Sequence, residues 1–264
     1  MMREAFRARY GPWALVAGAS VGLGAAFARQ LAERGLHLVL IDYRASELHQ
    51  LAAELHERNG VMVRTVVLDL GRADLLEVLR PHLCDSEVGL LICNAAAVRI
   101  GRFYTFEVAD VLRTLDVNCR APIMLAHELG RGMMTRGRGG IVLMSSIAGM
   151  QGASLIAAYA ATKAFNLALA EGLWSELRQH GVDVMACRAG ATRTPAYEAS
   201  QPRRTMPLME PERVVREALD ALGSGPSMVP GWANRLSSFV LGHLVPRRLA
   251  IQMLSGLLEH IYES

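Results

Sequence analysis

The sequence predicts an α/β protein built on one doubly wound parallel sheet, and three observations carry that expectation. Short apolar runs alternate with segments of helical period from residue 13 to beyond residue 180. A glycine-rich turn, Gly18-Ala19-Ser20-Val21-Gly22-Leu23-Gly24, closes the first run and opens directly into a helical pattern. The composition, 52% hydrophobic and 20% charged over 264 residues, can bury a full core and argues against disorder.

Taken in order, Trp13 to Ala17 is expected as the first strand, with Leu23 to Arg34 as the helix behind it. Leu36 to Ile41 and Ser46 to Arg58 form the next strand and helix, followed by Val61 to Leu68 and a short helix ending near Pro81. Gly89 to Cys93, Ile141 to Met144 and Val182 to Cys187 read as further strands, each separated by enough chain for a helix. Ala157 to Arg178 is rich in Ala, Leu and Glu and repeats Phe165, Leu169, Leu173 and Leu177 at a four-residue step, which predicts a long amphipathic helix. No internal repeat or low-complexity linker divides the chain, so residues 1–264 are expected to form a single domain.

Two later segments have less regular signals. Residues 194–210 hold three prolines and no clear period, as expected of a lid over a substrate; Tyr197, Met206, Leu208 and Met209 suit an apolar ligand or packing equally. Residues 233–262 are apolar at helical spacing, from Leu236, Phe239 and Leu244 to Leu249, Met253, Leu257 and Ile261, with Pro246 expected to break the tail in two. Packing or a subunit interface is the first reading of that tail, and peripheral membrane contact is the second.

The net charge of +3 gives no support for nucleic-acid binding, and the pairs Arg203-Arg204 and Arg247-Arg248 read as solvated surface. Cys84, Cys93, Cys119 and Cys187 lack metal-ligand spacing and read as reduced core residues of a cytoplasmic protein. The charged N-terminal residues carry no secretion signal, and no apolar run reaches the roughly 18 residues needed to span a bilayer.

The chemistry centres on a compositional exception. Of 28 Lys plus Arg residues, one is lysine: Lys163, four positions after Tyr159. On a helix, that offset places both side chains on one face. An ammonium beside a phenol favours the phenolate and is expected to pull the tyrosine pKa down from about 10. A compact ammonium can also bind a sugar diol, where the wide guanidinium fork of Arg is a poor substitute. Ser146, thirteen residues before Tyr159, falls just past an expected strand, where its hydroxyl can donate to a substrate carbonyl.

The glycine turn reads as a dinucleotide cradle: Gly18, Gly22 and Gly24 allow the tight turn and close backbone approach, with Ser20, Val21 and Leu23 between them. Asp42 ends the second expected strand 18 residues after Gly24, where a carboxylate would bind a ribose 2′-hydroxyl and repel a 2′-phosphate. NAD is therefore the expected cofactor; the nearby Arg44 leaves NADP as the alternative.

Together these residues resemble the short-chain dehydrogenase/reductase family, from about Trp13 to Thr194. The likeness rests on Gly18-x-x-x-Gly22-x-Gly24, Asp69-Leu70, Asn94-Ala95-Ala96, Asn118, Ser146, Tyr159-x-x-x-Lys163 and Ala189-Gly190 with Thr192 and Thr194 beyond. The resemblance implies a Rossmann-type fold. It further implies Tyr159 as general acid/base, Lys163 on the nicotinamide ribose, Ser146 orienting the reacting oxygen, and Asn118 holding a relay water. Asp69 would meet the adenine with Leu70 beside it, Asn94 would support the cofactor pocket, and Gly190, Thr192 and Thr194 would line its nicotinamide end.

Ala17, Ala96 and Ala189 depart from the family's usual Thr, Gly and Pro, and none removes a catalytic group. The opening Tyr10-Gly11-Pro12-Trp13 is similar to the branch acting on steroids and 3-ketoacyl chains. The expected activity is interconversion of a secondary alcohol and a ketone on a hydrophobic small molecule, by a homo-oligomer. NADPH-dependent reduction of a 3-ketoacyl or ketosteroid substrate is one alternative, and a catalytically silent nucleotide-binding protein is another.

Overall fold

The computed structural model describes residues 3–204 and 207–263. Seven parallel strands form one sheet in the order β3-β2-β1-β4-β5-β6-β7. They are β1 (Trp13–Ala17), β2 (His37–Asp42), β3 (Val63–Val67), β4 (Val88–Cys93), β5 (Gly139–Ser146), β6 (Val182–Ala189) and β7 (Ser227–Met228). Every residue of β1 and β4 is buried, because helices cover both faces of the sheet and leave no solvent side for alternation.

The helices are α1 (Arg3–Tyr10), α2 (Gly22–Glu33), α3 (Ala45–Asn59), α4 (Leu75–Leu79), α5 (Val108–Leu115), α6 (Ala121–Arg136), α7 (Ala157–Leu177), α8 (Pro195–Ala199), α9 (Pro211–Ala221), α10 (Trp232–Phe239) and α11 (Arg247–Tyr262). One core packs the α2–α3–α9 side through Phe27, Leu31, Leu48 and Val215; the other packs the α6–α7 side through Leu125, Met133 and Leu177. α3 stops where Gly60 turns left-handed at φ 63°, a conformation that a Cβ would penalise.

From β1 the chain winds outward to β3, then returns to β4 on the other side of β1. That reversal opens a crevice beyond the carboxyl ends of β1 and β4. There Asn94 and Ala95 both donate their N–H groups to the Ala17 carbonyl, at 3.0 and 2.8 Å.

Two expectations need correction, and one strand is unexpected. α7 is sided only in part by the expected stripe: Leu177 is buried and Leu169 and Leu173 pack half-buried on the core, but most of the buried face is Ala160, Thr162, Lys163, Asn166 and Ala170. Small and polar residues are needed there because the helix lies close against β5 and β6 and carries site side chains inward. Cys84 is exposed rather than core, although Cys93 and Cys187 are buried. β7 carries no strand signal in the sequence because its two residues form the sheet edge by pairing Ser227 and Met228 with Ala186 and Cys187.

Pro246 does break the tail. α10 runs on through a π-helical turn at Val240–Leu244, and α11 begins after Pro246. α11 then packs back on the domain: Leu254 and Leu258 meet Ala153, Ile156 and Ala160, and the Ser154 N–H donates to Ser255 Oγ at 3.0 Å. Arg102 fastens the end of the helix through Glu259 and Glu263. Among the described residues, no helix is long and apolar enough to cross a membrane.

Candidate active site

A cavity of about 520 Å³ occupies the crevice. Its first wall is the glycine turn. Gly18 has φ 81°, and a Cβ there would lie 2.6 Å from the Ala95 Cα; a Cβ on Gly24 would lie 1.8 Å from the Gly18 carbonyl oxygen. The backbone must therefore stay bare for the turn to close under the helix. Gly18, Val21, Gly22 and Leu23 line the cavity, while Gly24 lies beneath the turn. We expect Gly24→Ala to destabilise the fold by about 3 kcal/mol or more through overpacking, which differential scanning calorimetry would read as a melting point lower by roughly 6 °C or more.

At the adjacent corner, the Asp42 carboxylate accepts N–H bonds from Ser20 at 3.0 Å and Arg44 at 3.1 Å. These bonds hold it at the cavity wall, although it is only 7% exposed. Ser20 is placed behind this corner: its N–H anchors Asp42, and its buried hydroxyl has no protein partner. Asp69, Leu70 and Asn94 line the same half. Asp69 accepts from the Gly71 N–H and pairs with Arg113, so the arginine and the backbone bond hold its carboxyl below the usual range despite partial burial. Asn94 donates to the Gly18 carbonyl at 2.7 Å and ties the two strand ends together.

The second half is built by β5 and α7. Ser146 ends β5, and its Oγ accepts from the Ala148 N–H at 3.2 Å. Tyr159 and Lys163 project from α7 to the same wall, with the Lys163 Nζ 5.5 Å from the Tyr159 ring centroid. Lys163 is 3% exposed and donates to the Met144 carbonyl at 2.8 Å. Burial lowers its pKa to about 8. Burial also pushes the Tyr159 phenol up to about 12, against a hydrogen bond from Ser146 that lowers it. The expected depression of the tyrosine pKa is therefore reversed, because desolvation outweighs the help that Ser146 offers the phenolate.

Asn118 lies behind this wall, in a π-helical turn at Asp116–Arg120. Its Oδ1 accepts from the Ala97 N–H at 2.7 Å, and its Nδ2 donates to the Ala97 carbonyl at 2.8 Å and to Thr162 Oγ1 at 3.0 Å. Thr162 in turn donates to the Tyr159 carbonyl at 2.8 Å, and Ser145 Oγ donates to the Lys163 carbonyl at 2.7 Å. Neither Thr162 nor Ser145 is among the site residues expected from the sequence; their roles exist only where two helices and a strand meet.

Gly190, Thr192 and Thr194 line the far end, and Thr194 caps α8 by accepting the Tyr197 N–H at 3.2 Å. Tyr197 reaches the cavity, but Met209 packs on the α2–α9 core instead; Met206 lies outside the described residues. Leu258, Ile261 and Tyr262 of α11 also line the cavity. The last carries a 3.1 Å hydrogen bond between its hydroxyl and Ser200. The tail's sequence gave no sign of this, since its period shows only that it is a helix.

The residues present fit a nicotinamide dinucleotide: the turn leaves room for backbone approach, Ser20 keeps an unsatisfied hydroxyl beside it, and Asp42 stands where a ribose is expected. The family model for short chain dehydrogenase matches residues 12–205. The chain belongs to that family and is an oxidoreductase acting on CH–OH groups with NAD or NADP.

Among its relatives is a 7beta-hydroxysteroid dehydrogenase from Clostridium sardiniense, 32% identical over 87% of this chain and 89% of that protein. A very-long-chain 3-oxoacyl-CoA reductase from Anas platyrhynchos is 33% identical over 84% of this chain and 72% of its own. A solved short-chain dehydrogenase from Sphingobium yanoikuyae in complex with NADPH superposes with TM-score 0.78 at 32% identity, covering 87% of this chain and 92% of that one.

Proposed function

We propose that this enzyme interconverts a secondary alcohol and a ketone on a hydrophobic substrate with NAD. The observation that carries this reading is the convergence of Ser146, Tyr159 and Lys163 on one cavity wall, opposite the glycine turn and Asp42. A bound nicotinamide supplies or accepts the hydride.

In reduction, Ser146 and Tyr159 hold the carbonyl oxygen and Tyr159 donates its proton to it; in oxidation, the Tyr159 phenolate takes the hydroxyl proton. Lys163 holds the nicotinamide ribose and keeps a positive charge beside the phenol. Asn118 has its side chain engaged by Ala97 and Thr162, so its backbone carbonyl in the π turn is the group to hold a relay water. Val98, Ile100, Ile156, Leu258 and Ile261 supply the apolar substrate end, and Thr194, Pro195, Ala196, Tyr197 and Ser200 of the expected lid line it.

Asp42 supports NAD, because a buried carboxylate held by two N–H groups accepts ribose hydroxyls and repels a 2′-phosphate. The second reading, NADPH-dependent reduction of a 3-ketoacyl or ketosteroid substrate, draws on Arg44 at the same corner. Fluorescence titration separates them: we expect NADH to bind about tenfold tighter than NADPH, with Asp42→Ser removing the preference. Tighter NADPH binding by the unmodified protein transfers the assignment to the second reading.

The reading extends to a cytoplasmic homo-oligomer. The outward side chains of α10 and α11, Trp232, Leu236, Leu249 and Met253, are exposed and support a subunit contact or peripheral membrane contact. Sedimentation with liposomes distinguishes these, because a subunit interface leaves the protein wholly in the supernatant.

A further inference from the structure

A second cavity lies at the other edge of the molecule, where β6, β7, α9 and α10 meet, with a volume of about 750 Å³. No residue that lines it also lines the first cavity. Its floor holds two polar groups without partners: the hydroxyl of Ser238, which is 3% exposed, and the Nε of Arg188. A buried donor left unpaired costs about 1–3 kcal/mol. Both residues line a space large enough to hold a ligand.

The surrounding charge indicates the ligand's sign. Arg235 and His243 also line the cavity. Of the two carboxylates present, Glu217 is taken up by the Gly231 N–H at 2.8 Å and Arg213 at 3.0 Å, and Asp220 by Arg34 at 3.3 Å. The Arg188 guanidinium is therefore set to receive an anion, Arg235 adds a positive charge that it shares with Glu217, and the nearby carboxylates favour an anion that carries a single charge. The rest of the lining is apolar, chiefly Met228, Val229 and Phe239.

We propose that this cavity is a binding site for an amphiphilic carboxylate, its head on Arg188, Arg235 and Ser238 and its chain along Met228, Val229 and Phe239. The site is independent of the oxidoreductase centre and does not rest on the reading of that centre.

Calorimetric titration of the full-length protein with decanoate tests it. We expect saturable binding that weakens roughly tenfold or more in Arg188→Gln and in Ser238→Ala, the loss of a charge-assisted or buried hydrogen bond. Decanol, which has the same chain without the charge, should bind the wild type and both variants alike. Unchanged turnover of a neutral substrate by the variants shows that they fold. Decanoate binding that is equal in wild type and variants, or absent from the wild type, overturns the proposal. Tighter binding of decyl phosphate than of decanoate also overturns it, since a dianion should be repelled by Glu217 and Asp220.

Discussion

Tyr159→Phe should lower kcat by roughly a thousandfold, within the range that a positioned proton donor contributes. Cofactor affinity should stay nearly unchanged. The substitution removes one oxygen from a side chain that otherwise packs among Ile156, Ala160 and Leu258, so the ring keeps its contacts. What is lost is the phenolic hydroxyl that Ser146 acts on, a net contribution to stability of about 1 kcal/mol. Steady-state kinetics beside a melting curve and an NADH titration therefore separate chemistry from folding. Turnover within tenfold of wild type would remove Tyr159 as the acid/base and leave Ser146 or a water as the proton source.

The sequence-based prediction of Tyr159 rests on local geometry, and local geometry is what a sequence records best. Gly18, Gly22 and Gly24 announce the turn because no other residue tolerates its φ values and its packing under the Gly18 carbonyl. The strands β1 and β4 are legible because burial on both faces demands unbroken apolar runs. Thr162, Ser145 and the cavity-lining side of α11 are not legible in this way. Thr162 matters only because Asn118, forty-four positions earlier, arrives beside it. Leu258 and Ile261 line the site only because Pro246 turns α11 back onto the domain. The pKa directions are hidden for the same reason: the i, i+4 offset places an ammonium near a phenol, but only the packed structure shows the ammonium buried and the phenol half-buried.

Lys163→Arg should abolish most turnover, by about a hundredfold or more, although the chain uses Arg at its other 27 basic positions. The Lys163 ammonium sits 3% exposed, bonded to the Met144 carbonyl at 2.8 Å, with its own backbone pressed against Gly149 and Ser145. A guanidinium is wider, carries more donors than this space can satisfy, and resists losing its proton when buried. Lys163→Met is the companion variant, because it keeps the stem and removes the charge. With no cation beside the phenol, the phenolate is less favoured, so the pH at which activity rises should move upward from its wild-type value. The sign differs for folding: burial depresses the Lys163 pKa to about 8, below the ordinary 10.5, so the ammonium opposes folding at neutral pH. Cofactor-free wild-type protein should gain stability from this group as pH rises from about 8 toward 10.5, and Lys163→Met should lose that gain. Chemical denaturation at pH 7 and pH 9.5, run beside the pH–rate profiles, reads both effects. A Lys163→Arg enzyme with near-normal kcat would show that any buried cation suffices there, and the exchange of Arg for Lys at this one position would then carry no chemical meaning.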